Sequence, residues 1–213
     1  MAILRVNPTR MELTRLKRRL VVAARGHKLL KDKRDEMVRR FMLLIKRNKE
    51  LRQEVEAALS SALGGFVLAR IAMPKESFEE ALMFPVREVE LSISRQNIMS
   101  VYVPKIAFTE KKREQAFFPY GLLTTSSELD SATANLAGVL PQMVELAELE
   151  KTCNMLADEI EKTRRRVNAL EYVMIPQLEE TIKYIKMKLD ENERGNLTRL
   201  MKTKEMIAAR ENG

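Results

Sequence analysis

Across residues 13–72, apolar side chains return at alternating steps of three and four, and no proline interrupts them. The series is Leu13, Leu16, Leu20, Ala23, His27, Leu30, Arg34, Met37, Phe41, Leu44, Asn48, Leu51, Val55, Ala58, Ala62, Gly65, Ala69 and Ala72. Fourteen of these eighteen positions are apolar. A step that averages 3.5 residues, kept up over this many turns, makes a helix pair with another helix in a left-handed supercoil. At 1.5 Å per residue the helix would run about 95 Å, much longer than a small globular domain is wide.

The ends of this helix are marked. Asn7 can cap it with Pro8 in the first helical position, or Thr9 can cap it with Glu12 closing a capping box. Pro74 pushes Met73 out of helical geometry and stops it. We therefore expect a first helix over residues 7–73. Asn48 is either a register-fixing polar residue in the seam or a solvated position. The small residues between Ala58 and Ala72, with Gly64 and Gly65, let a second backbone come close and weaken the helix locally.

Composition agrees with long helices. Of the 213 residues 32% are charged and 5% aromatic, with no Trp and seven each of Gly and Pro. The net charge of +8 is unevenly spread. Residues 9–49 hold 15 Lys and Arg against 4 Asp and Glu, while residues 127–213 hold 13 against 16. Three readings fit: solvated faces that attract each other across a coil, a basic surface for an acidic partner, or phosphate binding. The single Cys153 excludes an internal disulfide and fits a reducing compartment. No signal-peptide pattern opens the chain, and no run approaches 18 consecutive apolar residues, so no membrane span is expected.

The centre, residues 74–126, has a different period. Val89, Leu91 and Ile93 alternate with polar residues, and so do Met99, Val101 and Val103. This predicts a β-hairpin near residues 87–103, turning at Arg95-Gln96-Asn97 and ended by Pro104. Two strands are marginal alone, so the hairpin must lean on the coil or on a partner. Residues 105–126 read as mostly irregular. Their apolar residues Phe117, Phe118, Tyr120, Leu122 and Leu123 need cover from the coil or from a partner.

A second helix is expected over residues 127–210, capped by Ser127 with Asp130. Its seam runs through Leu129, Ala132, Leu136, Val139, Met143, Leu146, Leu149, Cys153, Leu156, Ile160, Thr163, Val167, Leu170 and Met174. It resumes at Leu178, Ile182, Ile185, Leu189, Leu197, Leu200 and Ile207. Pro141 and Pro176 lie inside it and should kink it. Two long helices separated by such an insert pair antiparallel, with a register open by about one heptad. The fold class is mainly α: a long antiparallel two-helix left-handed coiled coil with a small central β-hairpin region.

Catalytic chemistry is hard to place here. His27, the only histidine, sits on the seam, which leaves no partner set for a triad or a metal cluster. Cys153 also lies on a seam and reads as a small core residue. Gly64-Gly65 lacks the Gly-Lys-Ser/Thr of a phosphate loop. We expect no catalytic, cofactor or metal site.

Several stretches resemble the D subunit of V-type and archaeal-type rotary ATPases. These are Val6-Asn7-Pro8-Thr9-Arg10, Leu16-Lys17-Arg18-Arg19-Leu20, and GHKLLKDKRD over residues 26–35. The C-terminal run is EKTRRRVNALEYVMIP over residues 161–176, continued by Thr181, Ile182, Ile185 and LDENER over residues 189–194. The hairpin followed by Tyr120-Gly121 is similar to the family's middle. The resemblance covers nearly the whole chain, with separated motifs in the same order.

The resemblance implies a non-catalytic rotor subunit. The helix pair would enter a hexamer of alternating A and B subunits. The chain's middle would bind the small F subunit and dock on the d (or C) subunit above the membrane rotor ring. It implies a cytoplasmic location peripheral to the membrane, and coupling to H+ or Na+. Basic residues Arg15, Lys17, Arg18, Arg19, Arg25, Lys28, Arg164, Arg165 and Arg166 are the candidate stator-facing set. Val89, Leu91, Ile93, Met99, Val101 and Val103 are the candidate partner-docking hairpin. A structural coiled-coil adaptor outside any ATPase, or a nucleic-acid-binding arm, are the competing readings.

Overall fold

A computed structural model of the chain describes residues 4–83, 88–111, 120–121 and 125–211. Helix α1 runs Arg10–Ala72, a short α2 Lys75–Leu82, strands β1 Glu88–Ile98 and β2 Val101–Lys111, and α3 Ser127–Ala169. A π turn, Leu170–Met174, leads into α4, Ile175–Glu211. The chain is mainly helical with a single antiparallel hairpin among the described residues, the fold class its periodicities predict.

Thr9 caps α1, its hydroxyl accepting the Glu12 amide at 3.2 Å and its carbonyl the Leu13 amide at 3.0 Å. Of the two caps the sequence offers, the Thr9 one forms, and the helix begins at residue 10 rather than 7. At the other end Met73 leaves helical geometry, and Pro74 becomes the cap of α2, an element the periodicity did not reveal. Eight residues are too few for a seam to show in the sequence.

The chain divides into two compact units, residues 1–36 with 161–213 and residues 37–160. In the first, Leu16, Leu178 and Ile185 form the buried core, edged by Leu4, Leu13, Leu20, Ala23, Ile182, Tyr184 and Leu189. The polar member is Thr181, also buried. Its hydroxyl donates to the Gln177 carbonyl at 2.7 Å and accepts the Leu4 amide at 3.2 Å, so its burial leaves no orphan. Arg10 pairs with Glu193, and His27 meets Glu171 at 3.3 Å. The helices are therefore antiparallel, and these pairs fix the register.

In the second unit Met37, Val101, Val103 and Leu156 form one core cluster and Ala69, Met73, Ala81 and Leu129 another. The helices are again antiparallel, since Asn48 meets Cys153 and Gly65 lies against Ala132. Long side chains add ion pairs across them, Arg47 with Glu145 at 2.5 Å and Arg52 with Glu150 at 3.5 Å. Further along, a Cβ on Gly65 would lie 3.1 Å from the Ala132 Cβ, tight enough to explain the small residues there. Cys153 is buried, and that burial raises its thiol pKa against a smaller opposing contribution from Asn48. Asn48 thus faces the seam as a polar partner. Every predicted seam position of α1 up to Ala69 is at least half-buried.

Helix α3 opens at Ser127, with the Ser126 carbonyl accepting the Leu129 amide. The expected Ser127 and Asp130 cap pair does not form. Asp130 instead accepts the Tyr120 hydroxyl at 2.6 Å, and burial followed by that bond raises the tyrosine pKa. Pro141 leaves the helical assignment of α3 unbroken, whereas Pro176 sits directly after the π turn. There the Ile175 amide bonds the Leu170 carbonyl five residues back. Such an insertion makes room for a ring that would otherwise crowd the carbonyl four residues earlier.

The far part of α1 is more apolar than its seam alone predicts. The helix contains an 18-residue stretch long and apolar enough, by length and composition, to cross a membrane. Residues 57–73 carry a single charge, Arg70. Alternating small and large apolar residues produce this: the small ones pack on α3 and leave Leu63, Val67, Leu68 and Ile71 on the outer face.

Candidate docking surfaces

The hairpin's tip is a two-residue turn at Met99-Ser100, with φ of 53° and 73°. Both central residues in the left-handed region is the geometry that matches strand twist in a tight hairpin. The Asn97 side chain accepts the Ser100 amide at 2.8 Å and steadies it. The turn thus lies beyond the expected one, and Arg95-Gln96-Asn97 belongs to β1. Strand β2 passes through Pro104 to Lys111, where irregular chain was expected.

The register explains why Pro104 is tolerated. The Ile106 amide donates to Glu148 of α3 at 2.8 Å, so it points away from β1. Ile106 pairs with Ile93 and Pro104 with Arg95, two residues on, so the Pro104 nitrogen faces the same outer side. A proline there breaks no ladder bond.

The same parity sorts the side chains into two faces. Ile98, Val101 and Val103 lie on one, and Val101 and Val103 pack with Met37 and Leu156. Val103 is only 2% exposed. These two, with the partly buried Met99, are therefore taken up by the helices and are not free for a partner. The other face carries Val89, Leu91, Ile93, Tyr102, Ile106 and Phe108, and Leu91, Ile93 and Tyr102 are 51%, 70% and 63% exposed. Half of the predicted docking set remains open, and Tyr102, which the alternation did not single out, joins it.

Two further surfaces stand out. On α1 and α3 of the second unit, Leu63, Val67, Leu68, Ile71, Leu136, Leu140 and Met143 are exposed. In the first unit α4 continues beyond Glu193, the residue that meets the start of α1, and Leu197, Leu200, Met201 and Ile207 are exposed there. Seam-spaced residues at this end meet no facing helix among the described residues, which is why the predicted burial of Leu197, Leu200 and Ile207 fails.

The predicted basic residues Arg15, Lys17, Arg18, Arg19, Arg25, Lys28, Arg164, Arg165 and Arg166 are all exposed. Arg10, Arg15, Arg18 and Arg19 line a shallow groove with Met11 and Thr14. Arg15 also pairs with Glu12 at 3.2 Å, and Arg165 with Glu161. His27 is half-buried and faces Glu171 in the π turn, so the seam histidine bridges the helices as a packing group. Phe117, Phe118, Leu122 and Leu123 fall outside the described residues. Tyr120 packs with Phe66 and Phe78 beside the Ala69–Leu129 cluster.

The family model for the D subunit of ATP synthase matches residues 12–205. The chain belongs to the ATP synthase D-subunit family. The D subunit of the V-type ATP synthase of Acetivibrio thermocellus is 62% identical over 208 residues, which span 97% of this chain and 94% of that protein. The V-type ATP synthase D subunits of Thermoanaerobacter pseudethanolicus and Clostridium novyi are each 58% identical, over 97% of this chain and 99% and 97% of theirs. A chain of this family is one part of a larger complex. Among the described residues no cluster of His, Cys, Asp or Glu is fit to hold a metal.

Proposed function

We propose that this chain is the central-stalk rotor of a V-type rotary ATPase. It transmits torque between ATP hydrolysis or synthesis in the A/B hexamer and H+ or Na+ movement through the membrane rotor ring. The observation that carries this reading is the seam, packed in antiparallel register in each unit, within a chain that matches the family over nearly its full length. A supercoiled pair resists twist better than one helix, and torque transfer requires that resistance.

The chain itself is non-catalytic, because the reacting groups belong to the A/B hexamer. It works in the soluble sector of the complex, peripheral to the membrane. The small F subunit and the d (or C) subunit meet its second unit, where the apolar outer faces of α1, α3 and the hairpin are exposed. The basic residues of the first unit face the A/B hexamer. Such contacts work at long range, since interlocked pairs would resist rotation, and salt screens them. Identical nucleotide sites around an asymmetric shaft meet different surfaces, and each is biased toward a different state. The π turn before Pro176 supplies part of that asymmetry.

The test is to mix the purified chain with a soluble A/B hexamer and follow the mixture by size-exclusion chromatography. A stable one-to-one complex that weakens as salt rises supports the reading. Failure to co-elute at low salt refutes the rotor role, and indifference to salt refutes its electrostatic part.

A further inference from the structure

The burial pattern of the hairpin is lopsided. Strand β2 lies against the helices: Val101 and Val103 are buried, and its outer edge gives the Ile106 amide to Glu148. Strand β1 is exposed at every residue from Glu88 to Asn97. The sheet has two strands only, so β1 presents a second edge that no described strand pairs.

The chemistry of that edge follows from the register. Ile93 and Ile106 form a pair whose amides point outward, and the pattern repeats every second residue. Leu91, Ile93, Arg95 and Asn97 therefore point both N–H and C=O away from β2. Ser92, Ser94 and Gln96 spend theirs on the ladder. The two-residue turn at Met99-Ser100 requires the same phase, because it closes on the hydrogen-bonded pair Ile98 and Val101.

Folded chains usually guard such an edge with a bulge, a proline, a lysine or a covering element. β1 pairs without a bulge and contains no proline and no lysine. Its charges are Glu88 and Glu90 at one end and Arg95 toward the other, with none at residues 91–94 between them. The side chains level with its outward amides are apolar at Leu91 and Ile93 and continue across the ladder to Ile106 and Phe108. An open main-chain ladder beside an apolar face is specific about its occupant. A helix could cover the face but could not satisfy the ladder.

We propose that β1 takes up a third strand from a neighbouring subunit of the assembly. The occupant is an extended edge segment with apolar side chains at alternate positions, held by main-chain hydrogen bonds and extending the Leu91–Ile93–Phe108 face. This rests on the reading of the chain as one subunit among several, and it names how the hairpin would dock.

The test compares amide exchange, resolved to single residues by mass spectrometry, in the purified chain and in the assembled ATPase. The amides of Leu91, Ile93, Arg95 and Asn97 exchange fast in the free chain and slow at least about tenfold on assembly, the scale of a hydrogen bond gained. Those of Ser92, Ser94 and Gln96 are slow in both. Arg95→Pro removes one outward donor and Arg95→Ala only the side chain, so the proline variant alone binds about tenfold more weakly. Fast exchange at the odd-numbered amides in the assembly, or equal binding by the two variants, overturns the proposal and leaves docking through the side-chain face. Protection that appears instead with dimerisation of the purified chain also overturns it, in favour of a second copy. ATP-driven rotation of the same assembly is scored separately: its absence sinks the rotor reading whatever the exchange pattern, and its presence does not rescue a β1 that stays open.

Discussion

Replacing Glu148 by Ala should loosen the hairpin's hold on α3 at one identifiable bond. The carboxylate accepts the Ile106 amide at 2.8 Å in a partly buried setting. A hydrogen bond to a charged acceptor contributes about 1.5–3 kcal/mol, and partial exposure places this one near the lower figure. Loss of about 1.4 kcal/mol is a factor of about ten in a local opening equilibrium. The Ile106 amide should therefore exchange about tenfold faster in Glu148→Ala. The ladder amide of Val103 should change little, because Val101 and Val103 still pack on Met37 and Leu156. Glu148→Gln keeps an acceptor without its charge and should fall between. Native-state amide exchange at Ile106 and Val103 reads both variants against the unsubstituted chain. An unchanged Ile106 rate in Glu148→Ala would mean that the bond does not hold the hairpin, and the argument that β2 is the inner strand would lose its polar support.

Leu156→Ala removes a side chain with no exposure, beside Met37, Val101 and Val103, and should cost about 2–4 kcal/mol of stability in urea unfolding. Pro176→Ala restores a helix amide after the π turn and should stabilise the chain by about 1–3 kcal/mol, raising Tm by several degrees, while lowering torque in a single-molecule rotation assay. Unchanged rotation would detach the π turn from the asymmetry argument. Cys153 should resist thiol reagents in the folded chain at neutral pH and react once urea unfolds it, because burial holds it protonated. Burial also raises Tyr120, so both groups lose protons more easily when unfolded. The stability they support is complete below the ordinary thiol range and falls as pH rises through the folded values, which urea midpoints at neutral and alkaline pH will measure.

The helical seams were legible because their signal is long. A 3-4 step kept from Leu13 to Ala69 survives a histidine, an arginine and an asparagine, and each of those positions is at least half-buried. The hairpin was half legible. Alternation located its strands, but the turn had no Asn-Gly or Gly signature, so the polar Arg95-Gln96-Asn97 drew the prediction away from Met99-Ser100. Pro104 was read as a stop because a sequence does not say which way an amide nitrogen faces. Thr181 was not counted in the seam, since its burial depends on a hydroxyl that bonds both Gln177 and Leu4. For the docking surfaces, the pattern marked apolar residues correctly without saying which ones the chain would use itself.

That last distinction has a physical rule behind it. Apolar residues with a facing helix within their unit are buried, as Leu16, Leu156 and Ile185 are. The same spacing continues on α4 past Glu193, where Leu197, Leu200 and Ile207 are more than half exposed. Val89, Leu91 and Ile93 repeat the situation on β1, and Leu63, Val67 and Leu68 on the outer side of α1. Leaving each of these in water costs about 1.5–3 kcal/mol relative to burying it. Soluble monomers rarely keep contiguous surfaces of this kind without a use for them. Their separation into a helix end, a strand edge and an outer helix face argues for several partners of different shape, as one member of a multi-subunit machine requires.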